Sequence, residues 1–286
     1  MAQGDAFVWR LPQEALLRPG GPTDADLSWA WLDSAWTSVK AVRVGDAAGN
    51  AIVLVHREAA GGQMEAGLAM LRHDTGAQLW GPTAYPQQTE GTDIAVAPDA
   101  SGFVITGHGS TAAATSSAAY YGRLTRVGPR GNYLWTRTLA SNPNASIIYN
   151  ECWGVQPYGW DEGVDGWVLS CGTGIEGTAT CADSRLTAAE RAWCAQGAPS
   201  AWGGAARMPG VWSNMIAAFT DSTTPAAPGA ILWSAVNSYI STEAGATSQS
   251  SASEFISPCA SGGFYVTTDE VFGVGLMRIG APALTP

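Results

Sequence analysis

Gly76-Ala-Gln-Leu-Trp80 decides the fold, because it does not stand alone. The same turn, followed by an apolar pair that ends in Trp, returns as Gly4-Asp-Ala-Phe-Val-Trp9, Gly131-Asn-Tyr-Leu-Trp135 and Gly229-Ala-Ile-Leu-Trp233. Ahead of three copies runs a short alternating segment: Gly67-Leu-Ala-Met-Leu-Arg72, Tyr121-Gly-Arg-Leu-Thr-Arg-Val127 and Met215-Ile-Ala-Ala-Phe-Thr220. A fourth such segment, Val274-Gly-Leu-Met-Arg-Ile279, has no Trp strand after it, and the copy at residues 4–9 is its missing partner. Self-similarity of this kind marks a repeat architecture.

A hairpin repeats upstream of these units. Lys40-Ala-Val-Arg-Val leads through Gly49 to Ala51-Ile-Val-Leu-Val55, and Asp93-Ile-Ala-Val-Ala leads through Gly102 to Phe103-Val-Ile-Thr106. Glu254-Phe-Ile-Ser leads through Gly263 to Phe264-Tyr-Val-Thr-Thr268. In each, the first residue stands nine positions before the Gly. Glu151-Cys-Trp-Gly-Val-Gln begins the fourth copy, whose hairpin is six residues longer and reaches Gly166 before Trp167-Val-Leu-Ser170. Short β-branched or aromatic runs bounded by Gly, Asp, Ser and Pro are strands and turns.

Four repeats of four strands predict an all-β chain: a four-bladed β-propeller forming one domain over 1–286. The expected blades are about 38–86, 91–140, 148–240 and 252–280, the last completed by residues 5–12. The strand Phe7–Pro12 would close the ring as the outer strand of the last blade, and an insertion at about 175–210 interrupts the third. The Pro/Gly-rich stretch 13–37, with Trp29, Trp31 and Trp36, reads as a connection. A β-sandwich is the alternative, although it requires no fixed spacing.

The Gly-to-Trp units resemble the repeats of quinoprotein-like and related bacterial β-propellers, in which a Gly precedes an apolar-Trp pair on the outer strand. The resemblance implies a fold and no single activity, since such propellers include enzymes, scaffolds and assembly factors. The long Trp-docking signatures that would hold a quinone are not recognisable in this sequence.

The chain carries 24 acidic and 14 basic side chains over 286 residues, a net charge of −10, and 35 Gly with 16 Pro. Lys40 is the single lysine. An acidic chain with 13% charged residues has no basic footprint for nucleic acid. No apolar run approaches the length of a membrane span. Residues 1–4 open no signal peptide.

Laying the repeats over one another on their Gly places Lys40, Asp93, Glu151 and Glu254 at one equivalent position, the start of each innermost strand. Six residues past each Gly come Val55, His108, Gly172 and Asp269, with His56 next to Val55. Antiparallel pairing puts the start of one strand beside the end of the next, so these positions would gather at the axial mouth. Crowded carboxylates repel, and Lys40 or a metal such as calcium would neutralise them. The expected catalytic set is therefore Lys40, Asp93, Glu151, Glu254 and His108, with Asp269, His56 and Trp153 as binding residues. A ring of ion pairs tying blades together is the competing interpretation.

The longer hairpin sets Cys152 opposite Cys171, and Cys181 and Cys194 bracket the insertion, so two local disulfides with Cys259 left over are expected. They imply an oxidising compartment, periplasmic or extracellular. Asp161, Glu162 and Asp165 depart from EF-hand spacing and read as a solvated hairpin tip. Two functions follow as expectations. One is an extracytoplasmic binding or assembly module presenting its acidic axial face to a small ligand, glycan, cation or protein. The other is a hydrolase or lyase using the carboxylates and Lys40 as acid and base.

Overall fold

The computed structural model describes residues 5–59, 64–86, 88, 90–109, 121–138, 148–160, 163, 165–175, 184, 188, 213–221, 231–237, 251–260, 262–270 and 273–280. Apart from a helical turn at Gln13–Leu16 and a 3-10 turn at Asp24–Asp26, the elements named for the described residues are strands. Strands β1 (Ala6–Arg10) and β2 (Trp29–Asp33) pair antiparallel. The first repeat is β3 (Ser38–Val44), β4 (Ala51–Glu58), β5 (Met64–Leu71) and β6 (Gln78–Tyr85). The second is β7 (Glu90–Val96), β8 (Phe103–Gly109), β9 (Tyr121–Val127) and β10 (Tyr133–Thr138). The third is β11 (Ile148–Tyr158), β12 (Gly166–Ile175), β13 (Ser213–Thr220) and β14 (Ile231–Asn237). The fourth is β15 (Ser251–Pro258), β16 (Phe264–Glu270) and β17 (Gly273–Ile279). Each repeat is one antiparallel sheet in strictly sequential order.

The sheets stack face to face in chain order, and the β4 sequence shows why. Ile52, Val53, Leu54 and Val55 are all fully buried. Successive side chains on a strand point to opposite faces, so a continuous apolar run belongs to a strand covered on both sides. Val53 and Val55 pack with Ala6, Val8, Trp31 and Trp36 of the β1–β2 region. Ile52 and Leu54 pack with Ile94, Phe103 and Ile105 of the second repeat. The second repeat presents Val104, Leu124 and Trp135 to Trp167, Leu169 and Phe219 of the third. The third in turn presents Val168, Ile216 and Ala218 to Ile256, Phe264 and Val266 of the fourth. Each of the Val, Leu, Ile and Phe side chains buried there contributes about 1.5–3 kcal/mol.

Strand β1 is not the outer strand of the last sheet. It pairs with β2, Val8 opposite Trp31 and Trp9 opposite Ala30. Ala6 and Val8 form its buried face against the first repeat, which anchors β1 at the front of the stack. The sequence hid this because β2 lies inside a Pro/Gly-rich stretch. The repeat's Trp position shifts with it. A Cβ on Gly131 (φ 81°) would come within 2.8 Å of the Trp80 ring, and one on Gly76 (φ 69°) within 2.6 Å of Trp29. Trp29 thus covers the first repeat's turn as Trp80 covers the second's, and both turns need Gly for its space and its positive φ. Trp9 is instead 51% exposed.

Cys152 and Cys171 are bridged, as their opposed register requires. Cys259 lies outside that bridge. Cys181, Cys194 and nearly all of the 175–210 insertion fall outside the described residues.

A buried ion pair locks the second repeat to the third. Arg126 Nε and Nη2 donate to the two carboxylate oxygens of Asp221 at 2.7 and 2.9 Å. The same guanidinium donates to Val127 O at 3.0 Å and Ser101 Oγ at 2.6 Å and lies over the Trp167 ring. With the Arg126 side chain 1% and the Asp221 side chain 5% exposed, neither charge is satisfied by water. Arg126→Met should cost about 3–5 kcal/mol by stranding the carboxylate, whereas Arg126→Met combined with Asp221→Leu should recover most of that loss. Urea denaturation of the two variants measures the difference.

Candidate functional site

The first strand of each of the four repeats carries a bulge at the same place. The pairing of β3 with β4 runs Ser38–His56, Val39–Val55 and then Ala41–Leu54, so Lys40 is the extra residue. In β7 the extra residue is Thr92, between Gly91–Gly107 and Asp93–Thr106. In β11 it is Trp153, between Cys152–Cys171 and Gly154–Ser170. In β15 the shift lies between Ser253–Thr268 and Ile256–Val266 and contains Glu254 and Phe255. A bulge turns its strand locally and re-aims a side chain.

The bulges correct the expected ring. Lys40, Thr92, Trp153 and Glu254 share the bulge position, while Asp93 lies one residue beyond it and Glu151 two before it. The residues opposite one another at the strand ends are Ser38–His56, Glu90–His108, Glu151–Gly172 and Ala252–Asp269. His56, rather than Val55, is therefore the counterpart of His108. Glu90, which the count from Gly102 passed over, is the carboxylate facing a histidine. Counting back from each Gly failed because hairpin lengths differ and a bulge leaves no trace in spacing.

Asp93 does not open to solvent at the strand ends. It is 3% exposed, forms an ion pair with Arg43 of β3, and accepts N–H bonds from Ile94 at 2.8 Å and Val155 at 3.3 Å. It thereby ties the first strands of three sheets together. Burial pushes its pKa up, against the pull of the Arg43 charge and the two N–H groups.

What gathers at the strand ends is a histidine-centred cluster. His108, 5% exposed, holds Nε2 at 3.4 Å from Glu90 Oε2, and its ring meets the Trp153 indole with centroids 5.1 Å apart. Glu90 and Trp153 are partly exposed, so the cluster has a solvent-facing side. Gln88 is buried beneath it, donating to Glu90 O at 3.0 Å and accepting from Thr125 Oγ1 at 2.9 Å. His56 is fully buried and accepts the Gly91 N–H on Nε2 at 2.8 Å. Its Nδ1 has no hydrogen-bond partner among the described residues. Lys40 is exposed, and Glu151 and Glu254 are half-buried. The side chain of Asp269 lies outside the described residues, as do Asp161 and Glu162. Among the described residues, no group of three or more His, Cys, Asp or Glu is placed to hold a metal ion.

No protein-family model matches this chain. No curated protein matches it significantly either. The chemistry of the cluster is therefore argued from its own residues.

Burial pushes the His56 pKa down to about 4, and the charge of Lys40 adds to that effect. The Gly91 N–H occupies the Nε2 lone pair, so the ring sits in the sheet interface as the neutral form. The fold therefore takes up this proton less readily than the unfolded chain, whose histidine titrates near 6.5. His56 carries no penalty above pH 6.5, and stability falls as the pH drops from there towards 4, by up to roughly 3 kcal/mol. His56→Gln, which can still accept from Gly91, should flatten that part of the pH profile. Denaturation of parent and variant at pH 7 and pH 4 tests this.

Proposed function

We propose that this chain is an extracytoplasmic binding module of the β-propeller type, taking a small polyhydroxylated ligand or glycan at the Glu90–His108–Trp153 cluster. The observation that carries the reading is the meeting of a carboxylate, an imidazole and an indole from two neighbouring sheets at their strand ends. An indole offers an apolar face to a sugar ring, and a partly exposed carboxylate accepts hydrogen bonds from hydroxyls. Lys40 and Glu151, on the same ends of neighbouring sheets, would border the ligand. The propeller architecture rests on the repeats themselves: similar sheets, sequentially ordered, each packed on the next. The Gly-to-Trp resemblance to quinoprotein-like propellers belongs to the same proposal.

The disulfide between Cys152 and Cys171 supports an extracytoplasmic compartment, where glutathione does not reduce it. No helix among the described residues is long and apolar enough to cross a membrane. A second reading, acid/base catalysis by a hydrolase or lyase, is favoured by one feature. Glu90 beside His108 sets a carboxylate against an imidazole, two side-chain types that serve as general acid and base.

A thermal-shift and calorimetric screen of mono- and oligosaccharides against parent, Glu90→Gln and Trp153→Ala tests the proposal. The parent should bind, and each variant should stay folded yet bind at least about 10-fold more weakly. Binding that survives both substitutions, or a parent that binds no saccharide, would overturn it. Turnover of a bound saccharide by the parent, lost in Glu90→Gln, would establish the catalytic reading instead.

A further inference from the structure

The junction of the third and fourth repeats has the same framework as the Glu90–His108–Trp153 cluster, with different side chains on it. Register sets Glu151 and Gly172 where the second repeat has Glu90 and His108, and the bulge sets Glu254 where the third has Trp153. Strand β13 places Asn214 opposite Gly172, where β9 has Gly122 opposite His108. Ser253, opposite Thr268 and directly before the bulge, takes the place that Cys152 has opposite Cys171. An imidazole facing an indole thus becomes a glycine facing a carboxylate.

The polar groups at this junction lie on facing surfaces. Ile216 and Ala218 of β13 pack towards the fourth repeat, and side chains alternate along a strand, so Asn214 lies on that same face. Glu151, Gly172 and Asn214 are successive cross-strand partners and share it. Phe264 and Val266 of β16 pack towards the third repeat, which puts Thr268 and its partner Ser253 on the opposing face. The level of the contact is set by the Glu254 carbonyl, which accepts from Ser170 Oγ at 2.6 Å, two residues from Gly172 along β12. A Cβ on Gly154 would lie 3.0 Å from that carbonyl. Gly172 itself contributes no side chain to the space between the sheets.

Two of these side chains hold an orphaned oxygen. Asn214 is 3% and Ser253 0% exposed, and neither Asn214 Oδ1 nor Ser253 Oγ has a hydrogen-bond partner among the described residues. Each buried oxygen left so costs about 1–3 kcal/mol, and two of them on facing sheets call for one group that both can hold. The neighbouring Glu151 and Glu254 are half-buried carboxylates. The set offers oxygen alone, which suits a hard cation, whereas softer metals favour thiolate or imidazole. Calcium accepts mixed carboxylate and neutral oxygens in a flexible shell, and two carboxylates balance its charge.

We infer that a calcium ion binds between the third and fourth repeats on Glu151, Glu254, Asn214 Oδ1 and Ser253 Oγ, with water completing its shell. Only two of these ligands are ionisable, and the amide and the hydroxyl supply the rest. The ion would tie the third sheet to the fourth, as Arg126 and Asp221 tie the second to the third. This inference is independent of the ligand proposed at the Glu90–His108–Trp153 cluster.

Thermal unfolding and calorimetry of the full chain, stripped with EDTA and titrated with calcium chloride, test it. Calcium should raise the melting temperature of the parent, and EDTA should reverse the rise. Glu151→Gln and Glu254→Gln keep the side-chain shape, so each should fold, yet each should bind calcium at least about 10-fold more weakly. Glu90→Gln, at the preceding junction, should bind calcium as the parent does. A parent whose melting temperature is indifferent to calcium would overturn the inference. So would calcium binding that persists undiminished in both Gln variants of the junction, or that is lost in Glu90→Gln, since either result puts the ion elsewhere.

Discussion

The bulge in the first strand of each repeat is the constraint on which the rest of the molecule depends. An extra residue leaves the ladder locally unpaired and bends the strand, and the freed groups are taken up by the neighbouring sheet. The Gly91 N–H reaches His56 of the first repeat, and the Thr92 hydroxyl donates at 2.7 Å to Cys152 O of the third. Ser170 donates at 2.6 Å to Glu254 O, and Gln156 at 3.1 Å to Ile256 O, joining the third repeat to the fourth. The same irregularity that interrupts pairing within a sheet thus supplies polar contacts between sheets. Gly154 shows how close the approach is, since a Cβ there would stand 2.8 Å from Ile256 N.

Two ion pairs act within this frame in different ways. Arg126 and Asp221 are both buried and almost fully satisfied by named partners, so they fix one arrangement of the second and third repeats. Arg43 is 42% exposed while its partner Asp93 is 4% exposed, so water screens one end of that pair and the carboxylate bears the cost of burial. The N–H groups of Ile94 and Val155 offset part of that cost. Asp93 is thereby committed to structure, and the chemistry left beside it at the strand ends belongs to Glu90, His108, Trp153 and His56.

The ends of the stack follow from the same packing logic. A sheet with two apolar faces needs two neighbours, and the β4 run from Ile52 to Val55 has both. Among the described residues, sheet β1–β2 packs on the first repeat and sheet β15–β17 on the third. Tyr265 and Leu276 alternate with the buried Val266 and the half-buried Met277, so the outer face of the last sheet is built much like its inner face. The apolar character of these end faces is a property of the repeat itself, expressed where the repeat stops.

The sequence by itself determined the four repeats, their strands, the all-β class and the Cys152–Cys171 opposition, because alternation, turn residues and hairpin counting are local properties of the chain. It could name His108 and Trp153 as candidates but could not put Glu90 opposite His108. That register depends on where the first strand of each repeat bulges, and a bulge is set by how neighbouring sheets meet. Nor could it find β2, whose Trp29-Ala-Trp-Leu-Asp33 reads as part of a Pro/Gly-rich connection until Trp29 is seen over Gly76. Asp93 looked like its supposed equivalents Lys40, Glu151 and Glu254 by spacing, and only tertiary structure set it between Arg43 and Val155. Spacing along a chain fixes which residues can pair within a hairpin. Which carboxylate is buried and which faces solvent is decided by the packing of one sheet on the next.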